Sequence, residues 1–304
     1  MHTHSHERTR AVLAFSLVAT LVYTVVLVVA GFRANSLALL SEAGHNASDL
    51  AALLLSGVAV YFQSRPADES RTYGYHRAGV LAAFLNALAL IGVASIIFYE
   101  AIQRLVIPEA VQSQTMMMVA AIGVVMNGAI AVLIYRSGRD VNLRSVIVHQ
   151  VGDTLSTAAV IAGGFLIGTT GYTWIDPGLS IGIGCLVLWS SFGIIRETLN
   201  ILLEGTPRGL RVEDIVNEVK SRPGVLDVHD LHVWSIGSEV HALSCHVAIA
   251  DIPPSESEII LRDVRKCLLD RFHIHHTTIQ FEHAVCEIAH GCVIPVRGEH
   301  GHPH

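Results

Sequence analysis

Six stretches of this 304-residue chain are apolar for long enough to cross a bilayer, which restricts its fold more than any other feature. A helix needs about 20 residues to cross a hydrocarbon core roughly 30 Å thick. The stretches lie near residues 11–32, 36–62, 77–104, 114–135, 144–168 and 175–200. Backbone N–H and C=O groups in hydrocarbon must find partners inside the protein, so segments of this kind are α-helical. Only 15% of the residues are charged, against about 25% in an average soluble domain. The shortage of charge ends near residue 204. The expected organisation is therefore a short His-containing N-terminus (1–10), an all-α six-helix transmembrane domain (11–204), a small soluble domain (205–285) and a His- and Cys-containing tail (286–304).

Arginine fixes the expected orientation. With a cytoplasmic N-terminus, the inner segments hold Arg8, Arg10, Arg65, Arg71, Arg77, Arg136, Arg139, Arg144, Arg208 and Arg211. The outer loops then hold only Arg33 and Arg104. This is a positive-inside bias, and it predicts a multi-pass protein of the cell (inner) membrane with both termini cytoplasmic.

Two of the apolar segments carry a motif that hydrocarbon disfavours: His45-Asn-Ala-Ser-Asp49 and His149-Gln-Val-Gly-Asp153. Four residues apart on a helix, His and Asp lie on one face. Each ionised carboxylate near a bilayer centre costs about 2.5–3.5 kcal/mol on insertion scales. The second segment starts outside and the fifth inside. At 1.5 Å per residue the first pair lies about 14–20 Å along its helix and the second roughly 8–14 Å along. Both pairs approach the middle of the bilayer from opposite sides, so they can meet. Two imidazoles and two carboxylates make a tetrahedral donor set suited to zinc.

Beyond Gly205-Thr-Pro207 the pattern becomes α-β-β-α-β. A helix over Leu210–Arg222 precedes strands over Val225–Ile236 and Glu239–Ala250, then a helix near 256–272 and a strand near 276–283. This order predicts a small α+β domain with its helices on one face of a sheet. Alternation on the second strand turns Leu243, Cys245, Val247 and Ile249 to one face and His246 to the other. The five cysteines, 185, 245, 267, 286 and 292, form no disulfide framework and read as reduced thiols. Cys185 and Cys267 are expected in cores. A net charge of −6 argues against nucleic acid as a partner.

The two motifs, the six-helix order, Thr72-Tyr-Gly-Tyr-His-Arg77 and His229-Asp-Leu-His-Val-Trp234 together resemble the cation diffusion facilitator family, and within it the zinc/cobalt/cadmium efflux branch. The resemblance covers nearly the whole chain. It implies a homodimeric cation/proton antiporter with a cytoplasmic ferredoxin-like domain, and a transported-ion site at His45, Asp49, His149 and Asp153. Zn²⁺ is the expected ion, with Cd²⁺ or Co²⁺ as alternates, in agreement with imidazole preference. H⁺ is the expected counter-ion. The family's cytoplasmic sites point to a regulatory zinc at His229, His246 and Glu282, with His275 behind them and thiolates available from Cys286 and Cys292. The loop between the second and third segments offers Asp68, Glu69 and His76, and reads as a solvated acidic loop.

Two other classes share parts of this pattern. An intramembrane metalloenzyme would keep three protein ligands and an open position, whereas four ligands with no evident general base describe a secondary transporter. A metal-gated channel or zinc sensor would move or sense Zn²⁺ without countertransported protons. Neither an enzyme nor a nucleotide-driven pump is expected, since the chain has no G-x-x-x-x-G-K-[ST] loop.

Overall fold

A computed structural model describes residues 3–63, 65, 67–137, 141–237 and 240–283. Within its helices, the side chains before Ser16, a few between 56 and 66, and those of 134–150 lie outside that description. The chain divides into two compact units, residues 1–61 with 82–196 and residues 62–81 with 197–304.

The first unit is built from six long helices: α1 (Thr3–Ala34), α2 (Leu37–Gln63), α3 (His76–Val106), α4 (Ser113–Ser137), α5 (Val141–Thr170) and α6 (Ile175–Leu202). Every apolar segment is a helix, and most run a few residues past the apolar run because His, Glu, Arg and Ser continue a helix readily once it is nucleated. Ser16–Ala34, His76–Val106, Ser113–Leu133, Val151–Thr170 and Ile175–Leu202 are long and apolar enough to cross a membrane among the described residues. The remaining helix, α2, is 27 residues long and interrupts its apolar face with Glu42, His45, Asn46 and Asp49. The start of α5 at Val141 rather than 144 changes the depth argument. His45 and His149 are now each eight residues into their helices, about 12 Å along at 1.5 Å per residue.

Small residues set how the helices approach. A Cβ on Gly123 of α4 would stand 3.0 Å from Thr157 Cγ2 of α5 and 2.0 Å from the Tyr23 hydroxyl of α1. One on Gly164 of α5 would stand 2.7 Å from Met117 Cγ and 3.6 Å from Met116 Cγ of α4. Helix backbones in lipid gain van der Waals contact this way, because lipid tails supply no hydrophobic force between helices. Tyr23, Leu27, Leu39, Met116, Ala120 and Val160 fill the buried centre of this unit. Cys185, expected in a core, is exposed on α6, since periodicity over an all-apolar helix does not tell the lipid face from the packed one.

The small domain follows the expected order: α7 (Val212–Lys220), β1 (Val225–Ser235), β2 (His241–Ile249), α8 (Pro254–Phe272) and β3 (Ile274–Glu282). The sheet order is β1-β2-β3, antiparallel between β1 and β2 and parallel between β2 and β3, with α8 as the crossover. The last strand starts two residues earlier than expected because α8 ends abruptly. His273 adopts φ 54°, and its N–H returns to the carbonyls of Leu268 and Leu269. One face of the sheet buries Val228, Val233, Leu243, Cys245, Val247 and Ile249 with Ile215 and Val219 of α7 and Val264 and Leu268 of α8. Burial pushes the Cys245 thiol up to about 12, so it behaves as a small core side chain.

The Gly123 contact is testable. Tyr23 is a stiff ring held by its bond to the Val119 carbonyl and cannot move aside easily. G123A is expected to cost about 1–3 kcal/mol by overpacking and to lower the Tm of the detergent-purified protein. G182A, where a new Cβ meets nothing within 4 Å, should leave the Tm unchanged or slightly raised.

Candidate metal centre

The second helix is fixed at its first turn before its ligands are reached. Ser36 caps α2 by accepting from the Leu39 N–H. Asp176, the second residue of α6, accepts the Ser36 hydroxyl at 2.6 Å, the Leu37 N–H at 2.7 Å and the Ala38 N–H at 3.2 Å. A fully buried carboxylate is thus matched to the positive end of the α2 dipole. Asn35, at φ 54°, makes the turn from α1, and Arg104 of α3 holds it by donating to its carbonyl and side-chain oxygens.

One turn further along lies Glu42, whose side chain is fully buried. It accepts the Thr157 hydroxyl at 2.7 Å and the Ser156 hydroxyl at 3.0 Å, both from α5. Hydroxyl-to-carboxylate bonds in a water-poor interior are strong and costly to break. They hold α2 against α5 three residues before His45 and three to four after Asp153.

The ligand atoms converge just beyond this layer. His45 Nε2 lies 3.1 Å from Asp153 Oδ1 and 3.8 Å from Asp49 Oδ2, and the three ligand atoms all fall within 4.8 Å of one another. A tetrahedral zinc with bonds of about 2.1 Å separates its donors by roughly 3.4 Å, so these spacings need little adjustment. Asp153 is buried, while His45 and Asp49 are partly accessible. His149 is on α5, one turn before Asp153, and its side chain lies outside the described residues.

A second group forms on the open face of the small sheet. His229 on β1 pairs directly with His246 on β2, their rings edge to face with centroids 5.4 Å apart. Glu282 at the end of β3 places Oε2 3.1 Å from His229 Nε2 and Oε1 2.9 Å from His246 Nδ1. The second of these contacts is close but off the hydrogen-bond axis, and His246 Nδ1 is buried with no in-line partner among the described residues. An imidazole lone pair and a carboxylate side by side but not bonded fit a shared cation. Asp230, in a left-handed conformation at the bulge between His229 and His232, stands 3.9 Å from His246 Nε2.

The structure does not bring every expected residue together. His275 is the second residue of β3, seven residues before Glu282 and so about 23 Å away along the strand. It is exposed there and is not part of the cluster. Cys286 and Cys292 lie outside the described residues. Asp68 is used locally: its carboxylate accepts Ser70 N–H, Ser70 hydroxyl, Arg71 N–H and Tyr75 hydroxyl, and these bonds lower it to about 2. That matches a solvated acidic loop. Asn46 donates to the Glu42 backbone carbonyl at 2.9 Å. Glu42, Asp176 and Thr157 were not singled out from the sequence. The available signal was that Glu42 and the Ser156-Thr157 pair each fall one turn from a motif, towards the same end of the site.

Six long helices, a polar cluster between two of them and a small sheet bearing a histidine–carboxylate cluster define a membrane protein that handles divalent metals. Residues 13–203 match the model of the cation efflux transmembrane domain, and residues 207–284 match that of the cation efflux protein cytoplasmic domain. The chain therefore belongs to the cation efflux family. It is 37% identical over 285 residues to the cadmium, cobalt and zinc/H(+)-K(+) antiporter of Bacillus subtilis, covering 92% of this chain and 91% of that one. With the zinc transporter ZitB of Pectobacterium atrosepticum it shares 38% over 296 residues, 95% of this chain and 91% of the relative. With the metal cation efflux system protein CzcD of Cupriavidus metallidurans it shares 37% over 294 residues, 95% and 92% respectively. The solved metal-bound C-terminal domain of the CzcD transporter aligns at 34% identity with a TM-score of 0.22, over 24% of this chain and 99% of that one. The chain is a multi-pass divalent metal cation efflux transporter, not an enzyme.

Asp176 gives the test of how α2 is anchored. D176A removes three acceptor bonds and leaves the Leu37 and Ala38 N–H groups buried without them. It is expected to destabilise the first unit by about 2–4 kcal/mol, read as a lower Tm in detergent.

Proposed function

We propose that this chain exports Zn²⁺ in exchange for H⁺ through a site made by His45, Asp49, His149 and Asp153. The observation that carries the reading is the convergence of His45, Asp49 and Asp153 from α2 and α5 at separations suited to tetrahedral zinc. Two histidines in the donor set favour Zn²⁺, with Cd²⁺ and Co²⁺ as alternates. The names of the relatives, which include zinc, cadmium, cobalt and an H(+)-coupled antiporter, support the same reading.

The His45–Asp153 contact supplies a reason for proton coupling. With protons on both ring nitrogens, His45 donates from Nε2 to Asp153, and that second proton occupies the lone pair a metal needs. Zn²⁺ and H⁺ thus compete for one atom. Binding the ion releases the proton, and a proton arriving on the other side restores the His–Asp bond and discharges the ion. Rocking of the helices about a mid-membrane site then gives alternating access.

We assign residues 11–204 to transport and 205–285 to a cytoplasmic regulatory and dimerising domain, flanked by the 1–10 segment and the 286–304 tail. In this arrangement the protein is a homodimer in the inner membrane with both termini cytoplasmic. A resident zinc would be held by His229, His246 and Glu282, a set that fits because the unaligned His246 Nδ1 and Glu282 Oε1 face one another at 2.9 Å. Zinc there would hold β1, β2 and β3 together across the open face of the sheet.

Two measurements test this. In proteoliposomes with pH read inside, Zn²⁺-driven proton flux should be lost in D49A and D153A. Full flux in either variant would refute the ligand assignment, and Zn²⁺ movement without proton flux in the unaltered protein would describe a channel. Calorimetry on the detergent-solubilised full chain should show two classes of Zn²⁺ site. H246A or E282A should weaken one class by at least about tenfold and leave D153-dependent binding intact.

A further inference from the structure

The register of α4 against α5 brings an amide to the transport site. These two helices are joined by residues 138–140 and run antiparallel, so a step forward on one is matched by a step back on the other. Gly164 meets Met117 and Met116, and six to seven residues further along α4, Gly123 meets Thr157, seven residues back on α5. The register is therefore constant over two turns. One further turn sets Asn127 opposite Asp153. Asn127 is 3% exposed, and its Nδ2 has no hydrogen-bond partner among the described residues.

A buried primary amide whose donor has no partner among the described residues points to a functional role in a membrane helix. Asp153 is the neighbour that can use it. Its Oδ1 is engaged by His45, and a carboxylate has about four acceptor positions, so it can take another donor. An ion that takes the His45 Nε2 lone pair removes the bond that His45 makes to Asp153. A donor from a third helix would then keep the carboxylate aimed. We infer that Asn127 is a positioning residue of the transport site, its Nδ2 donating to Asp153 while that carboxylate holds the ion. The inference rests on the proposed role of Asp153 as a ligand. It gives α4, which carries neither motif, a direct part in ion binding.

The test is Zn²⁺ transport by the full chain in proteoliposomes, analysed as KM and Vmax, beside Zn²⁺ calorimetry on the H246A background. N127L keeps the branching at Cγ and removes the donor. Loss of a group that orients a ligand typically weakens metal binding 10- to 100-fold, so N127L should raise KM by at least about tenfold with Vmax changed far less. N127D replaces the donor with a third carboxylate that repels Asp153, and should bind Zn²⁺ more weakly than the unaltered protein. N127S keeps a shorter donor and should fall between the unaltered protein and N127L. If N127L does not reach the membrane folded, the order of N127S above N127D makes the same comparison. Unchanged KM in N127L, or Zn²⁺ binding in N127D as tight as in the unaltered protein, would overturn the inference, the latter by making position 127 a direct ligand. D153A runs alongside: full transport in D153A would remove the ligand reading itself, whereas a dead D153A with an unaffected N127L removes only the role of Asn127.

Discussion

The packing of α2 against α5 governs the rest of the molecule, because the side chains of the candidate metal centre are divided between these two helices. Glu42 supplies the bond that matters most here. Its carboxylate takes hydroxyls from both Ser156 and Thr157, so α2 can neither rotate nor slide against α5 without leaving a buried charge-bearing group unpaired. Asp176 then fixes where α2 begins, and Arg104 fixes the turn that delivers it. The contact of His45 with Asp153 is the product of these constraints.

The two metal clusters use opposite structural logic. The membrane cluster draws on helix faces, where i and i+4 align His45 over Asp49 and the partner helix adds Asp153. The cluster on the small domain draws on strand pairing, where direct cross-strand neighbours put His229 beside His246 and the parallel third strand adds Glu282. In both, ligands from separate elements meet, so an ion ties elements together.

Residue patterns were informative wherever a local period decided the outcome. The six helices, the αββαβ order, the inward face of β2 and the two His-x-x-x-Asp faces all follow from spacing within one element. Misjudged positions depended on neighbours instead. His275 shares a strand with Glu282 but lies too far along it to share a site. Cys185 sits on an all-apolar helix whose packed side is chosen by its partners. Glu42 and Asp176 gave no signal of their own, since a single acid near a helix start reads equally as a dipole-favouring residue.

The sequence by itself determined that this chain spans a membrane several times, carries two matched imidazole–carboxylate pairs inside it and ends in a small α+β domain. Apolar length and residue period are properties of single segments, and they survive without knowledge of any contact. Only the tertiary structure decided which side chains serve the site. Helix register set Glu42 on Ser156 and Thr157, and Asp176 on the first turn of α2. Register depends on glycines such as Gly123 and Gly164 admitting a neighbour's side chain, and that fit exists only between two helices at once.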